Sequence, residues 1–264
     1  MKLQIDPQST IHYEEAGQGS IVVFLHAFPL SSAMWETQIA ELAKTHRVIA
    51  PDLRGFGGTS TFAGQPSIPR MADDVALLLH GLHIVERVSI VGLSMGGYVA
   101  LSFARKFPQR LSKLVLADSK AEGDTEEGKA KRLDMIELAE QGEAAAVIDA
   151  MLPNLLGAAT RNGNAALVER IRALGSDQSA TGVQDALRAL RDRPDATAWL
   201  GQIAAPTLVI VGEDDTLTPP AMARTLATGV PNAQLITIPG AGHLSNLEQP
   251  EMFNMALMGF LGAE

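Results

Sequence analysis

Residues 92–96 read Gly-Leu-Ser-Met-Gly and place Ser94 between two glycines, directly after the β-branched run 88–91. The run predicts a strand, and the residues after the serine predict a helix. A serine at such a strand-to-helix turn is held in a tight conformation, and glycines accommodate the turn because they lack a Cβ atom. The turn would direct the hydroxyl of Ser94 into a cleft beside a helix N-terminus. This pattern predicts a nucleophile rather than an ordinary turn.

His243 is the histidine best placed to act as the base that a nucleophilic serine needs. It follows the predicted strand 234–238 through the turn Pro-Gly-Ala-Gly. Because the carboxyl ends of parallel strands meet at one edge of a sheet, we expect His243 to lie near Ser94. The other histidines occur in contexts that indicate surface, packing or loop-bracing roles, namely His12, His26, His46, His80 and His83.

A carboxylate must hold the imidazole in the right tautomer and stabilise its cation. The turn after the predicted strand 207–211 contains Asp214 and Asp215, and Asp118 follows the predicted strand 113–117. The chain order serine, aspartate, histidine suits either strand end. We favour Asp215 as the acid, with Asp118 as the main alternative, and interpret Asp214 as a loop or helix-capping residue.

The segment His-Ala-Phe-Pro at residues 26–29 follows another predicted strand, 21–25. It therefore reaches the same edge of the sheet as the serine. We predict that the backbone N–H groups of Phe28 and Met95 form an oxyanion hole, which would stabilise negative charge on a reacting carbonyl oxygen. The ring of His26 is interpreted as bracing this loop.

These residues require a sheet whose strands alternate with helices, and the chain has that pattern. The fold class predicted is α/β, with a mostly parallel central sheet of about eight strands flanked by helices. Continuous apolar runs predict buried strands at residues 21–25, 47–50, 88–91, 113–117, 207–211 and 234–238. An antiparallel hairpin at the sheet edge is predicted from residues 2–5 and 10–15. Helices are predicted near residues 33–44, 68–82, 95–106, 219–229 and 250–262.

The alternation of strands and helices stops between residues 119 and 193, a stretch with helical spacing and no Phe, Tyr or Trp. We predict a helical cap, or lid, at 119–193, inserted into a core domain formed by 1–118 and 194–264. Flexible aliphatic side chains would form its inner surface and favour uncharged acyl groups. The candidate substrate-binding residues are Met151, Leu152 and Leu155, with Met135 and Leu156 also available.

Composition excludes several other classes of function. A net charge of −9 argues against a nucleic-acid partner, which requires clustered Lys and Arg. The chain has no cysteine, so disulfides, thiolate nucleophiles and cysteine metal sites are excluded. No apolar run approaches the roughly 20 residues of a membrane span, and the acidic N-terminal region does not resemble a signal peptide. A cytoplasmic location without membrane association is the prediction.

Five motifs together resemble the α/β-hydrolase superfamily, and the similarity spans nearly the whole chain. They are His-Ala-Phe-Pro at 26–29, Asp-Leu-Arg-Gly-Phe-Gly at 52–57, Gly-Leu-Ser-Met-Gly at 92–96, the segment 212–219 and Gly-His at 242–243. The likeness is greatest to the small esterase, 3-oxoadipate enol-lactonase and carbon–carbon hydrolase branch. It implies that Asp215 is the acid. A serine at position 94 also sets the chain apart from the haloalkane dehalogenases and epoxide hydrolases, which use aspartate there.

The predicted function is a serine hydrolase that cleaves a carboxylic ester through an acyl-enzyme on Ser94. The alternatives are an enol-lactonase or carbon–carbon bond hydrolase with a polar substrate, or a ligand-sensing hydrolase with slow turnover. An anionic substrate would need a cationic anchor, for which Arg161, Arg170 and Arg172 are candidates. The partner predicted is a small-molecule ester or lactone, and no metal or organic cofactor is expected.

Overall fold

The computed structural model describes residues 1–6, 9–61, 64–141 and 144–262. Within them an eight-stranded sheet has the order β1-β2-β4-β3-β5-β6-β7-β8. The strands are β1 (Lys2–Asp6), β2 (Ser9–Ala16), β3 (Ile21–Leu25), β4 (Arg47–Pro51), β5 (Val88–Leu93), β6 (Leu111–Ala117), β7 (Thr207–Gly212) and β8 (Gln234–Ile238). Strand β1 pairs antiparallel with β2, and β2 pairs antiparallel with β4, whereas all other pairings are parallel. The predicted fold class and the N-terminal hairpin are confirmed.

Helices cover the sheet and form the segment between β6 and β7. They are α1 (Glu36–Leu42), α2 (Ile68–Gly81), α3 (Met95–Lys106), α4 (Glu126–Glu140), α5 (Ala144–Leu155), α6 (Ala158–Gly163), α7 (Ala165–Ser176), α8 (Ala180–Arg191), α9 (Pro220–Gly229), α10 (Ser245–Glu248) and α11 (Pro250–Leu261). Short 3₁₀ helices lie at Ser32–Trp35, Pro108–Arg110 and Thr197–Gln202. The predicted helix at 33–44 is thus a 3₁₀ turn followed by α1, and α10 was not predicted because a four-residue helix has no periodic signal.

Burial on both faces explains why the sequences of the central strands are almost entirely apolar. Every residue of β3, β5 and β7 is buried, because helices cover both faces of the sheet. On one side Trp35 packs between Phe24 and Phe253, with ring centroids 4.8 and 6.0 Å away. On the other side, helix α3 is buried from Met95 to Ala104. This packing on both faces holds the central strands, and therefore the ends of these strands, in position.

Strand register brings the chemically active positions together. Leu25 pairs with Gly92, and Leu93 pairs with Ala117 in the parallel ladder. Gly212 at the end of β7 pairs with Ile238 at the end of β8. The loops that follow these strands therefore leave the sheet at the same edge.

Helices α4 to α8 lie between β6 and β7 and rest on that edge. Helix α4 packs against α8, and α5 packs against α7. At the N-terminus of α8 the hydroxyl of Ser179 donates to the carbonyl of Gly55 at 3.2 Å. Gly182 lies so close to the same loop that an added Cβ would be 1.9 Å from the Gly55 oxygen. Among the described residues, no helix is long and apolar enough to cross a lipid bilayer.

Candidate active site

Ser94 occupies a strained turn between β5 and α3. Its backbone angles, φ 53° and ψ −113°, lie in a region that residues other than glycine rarely adopt. The neighbouring glycines are required by close approach: a Cβ on Gly92 would lie 2.2 Å from the Gly96 oxygen, and one on Gly96 would lie 2.0 Å from the Leu25 oxygen. The turn leaves Ser94 partly accessible at the N-terminus of α3.

The loop after β8 brings His243 against Ser94. Its Nε2 lies 2.8 Å from the Ser94 hydroxyl oxygen, and its Nδ1 lies 2.8 Å from Oδ2 of Asp215. The imidazole and the carboxylate are both buried. Three side chains from three different loops therefore form one continuous hydrogen-bonded chain.

Asp215 is held in place by the loop after β7. Its Oδ1 accepts from the N–H groups of Leu217 and Thr218, at 2.8 and 3.0 Å, and its Oδ2 also accepts from the Thr218 hydroxyl at 2.7 Å. Burial alone would raise the pKa of Asp215, but His243 and these hydrogen bonds lower it below its ordinary value. The carboxylate is therefore ionised and fixed in orientation.

The charge on Asp215 in turn affects the imidazole. Burial by itself would lower the pKa of His243, whereas Asp215 and, to a smaller extent, Asp118 and Glu248 raise it. The balance places the pKa of His243 above its usual value. The site therefore favours the imidazolium form, which is the form produced when His243 accepts a proton.

Asp118, the alternative acid, is directed elsewhere. Its carboxyl oxygens accept from the N–H of Gly212 at 2.8 Å and from the hydroxyl of Ser245 at 2.5 Å. Complete burial beside Asp215 raises the pKa of Asp118 to about 8. Asp118 thus connects the loops that carry Asp215 and His243. Asp214 is exposed and contributes its backbone N–H to the carbonyl of Ala241 at 2.8 Å.

The two predicted oxyanion donors are both buried beside the serine. Met95 is the first residue of α3, where backbone N–H groups lack partners inside the helix. Phe28 follows β3 and lines the pocket that contains Ser94. Among the described residues, neither of these N–H groups donates a hydrogen bond. Both remain available to a ligand.

His26 braces the loop that carries Phe28. Its Nε2 accepts from the N–H of Leu53 at 2.8 Å, so its Nδ1 carries the proton and donates to the carbonyl of Ala27 at 2.9 Å. Burial lowers the pKa of His26, so the ring is neutral. Arg54, in the neighbouring loop, forms a two-pronged ion pair with Asp74 at 2.8 and 2.6 Å. His26 therefore has the bracing role that was predicted, and Arg54 holds the neighbouring loop.

A pocket of about 120 Å³ opens beside Ser94 and His243. Of the three predicted substrate-binding residues, Met151 lines it, whereas Leu152 and Leu155 do not. Leu155 is fully buried and Leu152 faces a separate surface cavity. The reason is helical geometry: the pocket face of α5 consists of Ala150, Met151 and Asn154, and residues 155 and 152 lie about 40° and 100° beyond Met151, away from that face. The other apolar lining residues are Phe28, Tyr98, Met135, Ala150, Leu190 and Leu217.

The predicted cationic anchors lie outside this pocket, and two other cations lie within it. Arg170 pairs with Glu36 and Arg172 with Asp149, both at 2.7 Å, and Arg161 bonds to the carbonyl of Pro153. The cations that line the pocket are instead Lys120 and Arg132. Lys120 lies three residues after the end of β6. The rule that residues just after parallel strands reach the same edge of the sheet therefore also applies to it.

The chain matches the family model for the alpha/beta hydrolase fold over residues 20–250. The chain belongs to the α/β-hydrolase family. A solved esterase from Thermogutta terrifontis is 37% identical, with a TM-score of 0.93 over 96% of this chain and 93% of that one. A hydrolase structure from Pseudomonas aeruginosa PA01 is 32% identical, with a TM-score of 0.92 over 100% and 98% of the two chains.

An enol-lactonase is also among the relatives. The 3-oxoadipate enol-lactonase 2 of Acinetobacter baylyi is 29% identical over 256 residues, which are 94% of this chain and 91% of that protein. The family and these relatives support the predicted hydrolase and its resemblance to the esterase and enol-lactonase branch. Their names point to different substrates, so the substrate class of this chain is a matter for proposal from its site.

Proposed function

We propose that the protein is a serine hydrolase that cleaves a carboxylic ester through an acyl-enzyme on Ser94. The observation that carries the proposal is the hydrogen-bonded chain from the Ser94 hydroxyl through His243 to Asp215, with 2.8 Å at both steps. This arrangement provides a nucleophile, a general base and an orienting carboxylate in one pocket. The esterase and enol-lactonase relatives agree with it.

The acylation step follows from this geometry. Ser94 attacks the ester carbonyl while Nε2 of His243 takes its proton, and Asp215 stabilises the resulting imidazolium. The negative charge on the carbonyl oxygen is received by the N–H groups of Phe28 and Met95. His243 then donates the proton to the departing alkoxide. The alcohol leaves, and the acyl group stays on Ser94.

Deacylation repeats the sequence with water as the nucleophile. His243 takes a proton from water, the hydroxide attacks the acyl carbonyl, and the proton returns to Ser94 as the acid is released. A lactone is a cyclic ester and would react in the same way, so the same residues suit an enol-lactonase.

In the proposed domain organisation, residues 119–193 form a cap over a core of 1–118 and 194–264. Met135, Met151 and Leu190 lie within this segment and line the pocket beside Ser94. Glu248 ties it to the catalytic edge, because its carboxylate accepts from the N–H of Gly157 at 2.9 Å and from that of Gly242 at 2.8 Å. The cap therefore shapes the space available to the acyl group.

The substrate class is tested with p-nitrophenyl esters of increasing acyl length. We expect kcat/KM to rise over the first few carbons, by up to about fourfold per buried methylene, and then to fall. The fall is expected because a pocket of about 120 Å³ is soon full. The measurement is initial rate at several substrate concentrations for each ester. A profile independent of acyl length would contradict an acyl pocket formed by these side chains.

A carboxylate-bearing ester or lactone is a second candidate substrate, favoured by the cations in the pocket. Asp124 is within 4.0 Å of three cations, at 2.8 Å from Arg193, 3.1 Å from Arg132 and 3.7 Å from Lys120. The carboxylates near this cluster, those of Asp124, Glu122 and Asp195, are not among the described residues that line the pocket, whereas Lys120 and Arg132 are. Burial and the neighbouring Arg193 lower the pKa of Lys120, as expected for an incompletely paired ammonium group.

We expect Lys120→Met to lower kcat/KM for monomethyl adipate by about tenfold, because a charge-assisted hydrogen bond to the distal carboxylate is lost. Hydrolysis of methyl hexanoate, which lacks that carboxylate, should change far less. Rates are measured by pH-stat, with Arg161→Met as the control for loss of a cation outside the pocket. Equal loss for both esters would reject the anionic substrate without affecting the serine mechanism.

The pH profile tests the role of His243. Below its pKa the imidazole is protonated and cannot accept the serine proton, so kcat/KM falls about tenfold per pH unit. Because the pKa of His243 is raised, we expect the midpoint of this acid limb to lie above about 6.5, the ordinary value for histidine. The measurement is kcat/KM for a neutral ester across the acid and neutral range. A midpoint below the ordinary value would contradict the proposed pairing with Asp215.

A further inference from the structure

A second cavity, of about 310 Å³, lies next to the candidate active-site pocket. It is formed between the start of α2, one face of α3 and the two chain segments that connect the core with residues 119–193. Its apolar wall includes Ile68, Leu101, Ala121 and Trp199. Tyr98 and Lys120 line both cavities and form the wall between them.

The two connecting segments are bonded to each other beside this cavity. The N–H of Ala196 donates to the carbonyl of Ala121 at 2.8 Å, and the guanidinium of Arg193 donates to the carbonyl of Glu122 at 2.8 Å. The N–H of Gly123 donates to the carboxylate of Asp195 at 3.1 Å. These bonds hold the walls in place, so the cavity is preformed.

The charged groups that line this cavity are all cations: Arg105, Lys106, Lys120 and Arg193. Arg193 pairs with Asp124, and Lys106 pairs with Asp73 at 2.5 Å. Arg105 differs, because no described carboxylate lies within 4.0 Å of its guanidinium, which lies 5.3 Å from the centre of the Trp199 ring. The cavity therefore has cationic charge that the described residues do not neutralise.

Trp199 supplies an aromatic surface beside Arg105. Its side chain lines the cavity, only 7% of the residue is exposed, and the indole Nε1 has no acceptor among the described residues. A buried N–H without a partner is uncommon and costs free energy. The nitrogen has no accessible surface, so the cavity is lined by the apolar ring of Trp199 and not by its N–H.

We propose that this cavity binds an organic carboxylate with an apolar body, independently of hydrolysis at Ser94. Arg105 binds the carboxylate, and the Trp199 ring, Ile68, Leu101 and Ala121 contact the apolar body. At about 30 Å³ per water molecule, the cavity holds on the order of ten waters, which corresponds to a ligand of about ten non-hydrogen atoms. Octanoate has this size and chemistry and is a suitable probe.

The experiment is titration of the protein with octanoate by isothermal calorimetry, with octan-1-ol as the uncharged comparison. Because the chain has two tryptophans and Trp35 is buried in the core, fluorescence of Trp199 gives an independent signal. We expect saturable binding of octanoate, and at least about tenfold weaker binding of octanol. Absence of saturable octanoate binding at millimolar concentration would overturn the proposal.

Two arginine variants locate the bound octanoate. Arg105 lines only the second cavity, whereas Arg132 lines only the pocket beside Ser94. We expect Arg105→Met to weaken octanoate binding about tenfold and Arg132→Met to leave it within about twofold. Arg105 is exposed, so its replacement is compatible with folding.

If Arg132→Met weakened octanoate binding and Arg105→Met did not, octanoate would lie in the pocket beside Ser94, and the second site would be overturned. Trp199→Phe is expected to remove the fluorescence response. Retention of full affinity in Arg105→Met would also overturn the proposal. Because none of these measurements depends on turnover, their outcome is separate from that of the proposed esterase activity.

Discussion

Replacing Ser94 with alanine is expected to abolish ester hydrolysis, with a loss of about 10⁴ to 10⁶ in kcat. The loss is large because nucleophile, base and acid act as one unit, and His243 and Asp215 cannot form an acyl-enzyme without the serine hydroxyl. The side chain is small and partly accessible, so the fold should be retained. The measurement is kcat for a p-nitrophenyl ester, with circular dichroism and Tm to verify folding.

Ser89→Ala provides the matched control, since Ser89 is a buried serine on β5, the strand that leads to Ser94. It should retain activity close to that of the parent enzyme. An organophosphonate should label Ser94 in the parent protein and leave the Ser94→Ala variant unlabelled. A folded Ser94→Ala variant with most of its activity would exclude the acyl-enzyme mechanism.

The fold and the catalytic edge follow from patterns that are local in the sequence. Runs such as residues 21–25 and 207–211 predict strands buried on both faces, and the structure confirms them. Once the sheet is parallel, the residues after each strand must share an edge, because parallel strands have their carboxyl ends on the same side. Knowledge of the strand ends alone therefore predicted that Ser94, Asp215 and His243 lie close together.

The position of the strand ends did not decide between the two candidate acids, although the motif at residues 212–219 favours Asp215. Asp118 and Asp215 both follow parallel strands, and both are buried. They differ in which way the carboxylate faces, and that depends on Ser245 and Gly212 occupying the oxygens of Asp118. These partners are 127 and 94 residues away along the chain. Contacts between residues so far apart in the chain cannot be predicted from local sequence patterns.

The pocket surface was predicted least well, because it depends on how cap helices are rotated and docked. Leu152 and Leu155 are as apolar as Met151, yet they lie about 100° and 40° beyond it around α5, away from the face that lines the pocket. The charge inside the pocket was missed for a different reason. Lys120 and Arg132 are typical surface residues by type, and only the packing of α4 over the sheet edge brings Arg132 to the pocket beside Ser94.

Asp215→Asn is expected to lower kcat by about 10⁴, as the equivalent change does in a serine protease. Asparagine has nearly the same shape as aspartate, so the hydrogen bonds from Leu217 and Thr218 to Oδ1 can persist. It carries no charge, however, and leaves the imidazolium of His243 unstabilised. It also presents either an amide N–H or a weaker acceptor to Nδ1, which favours the wrong tautomer. The pKa of His243 should fall at the same time, since the carboxylate that raises it is gone.

Two neighbouring aspartates serve as controls for this prediction. Asp214→Asn alters an exposed side chain one residue away and should leave kcat nearly unchanged. Asp118→Asn should cost far less than Asp215→Asn, because the carboxyl group of Asp118 bonds to Gly212 and Ser245 rather than to the imidazole. The three variants are compared by kcat for one ester and by the acid limb of the pH profile. If Asp118→Asn were the inactive variant and Asp215→Asn retained activity, the acid would lie after β6 and the proposed assignment would be wrong.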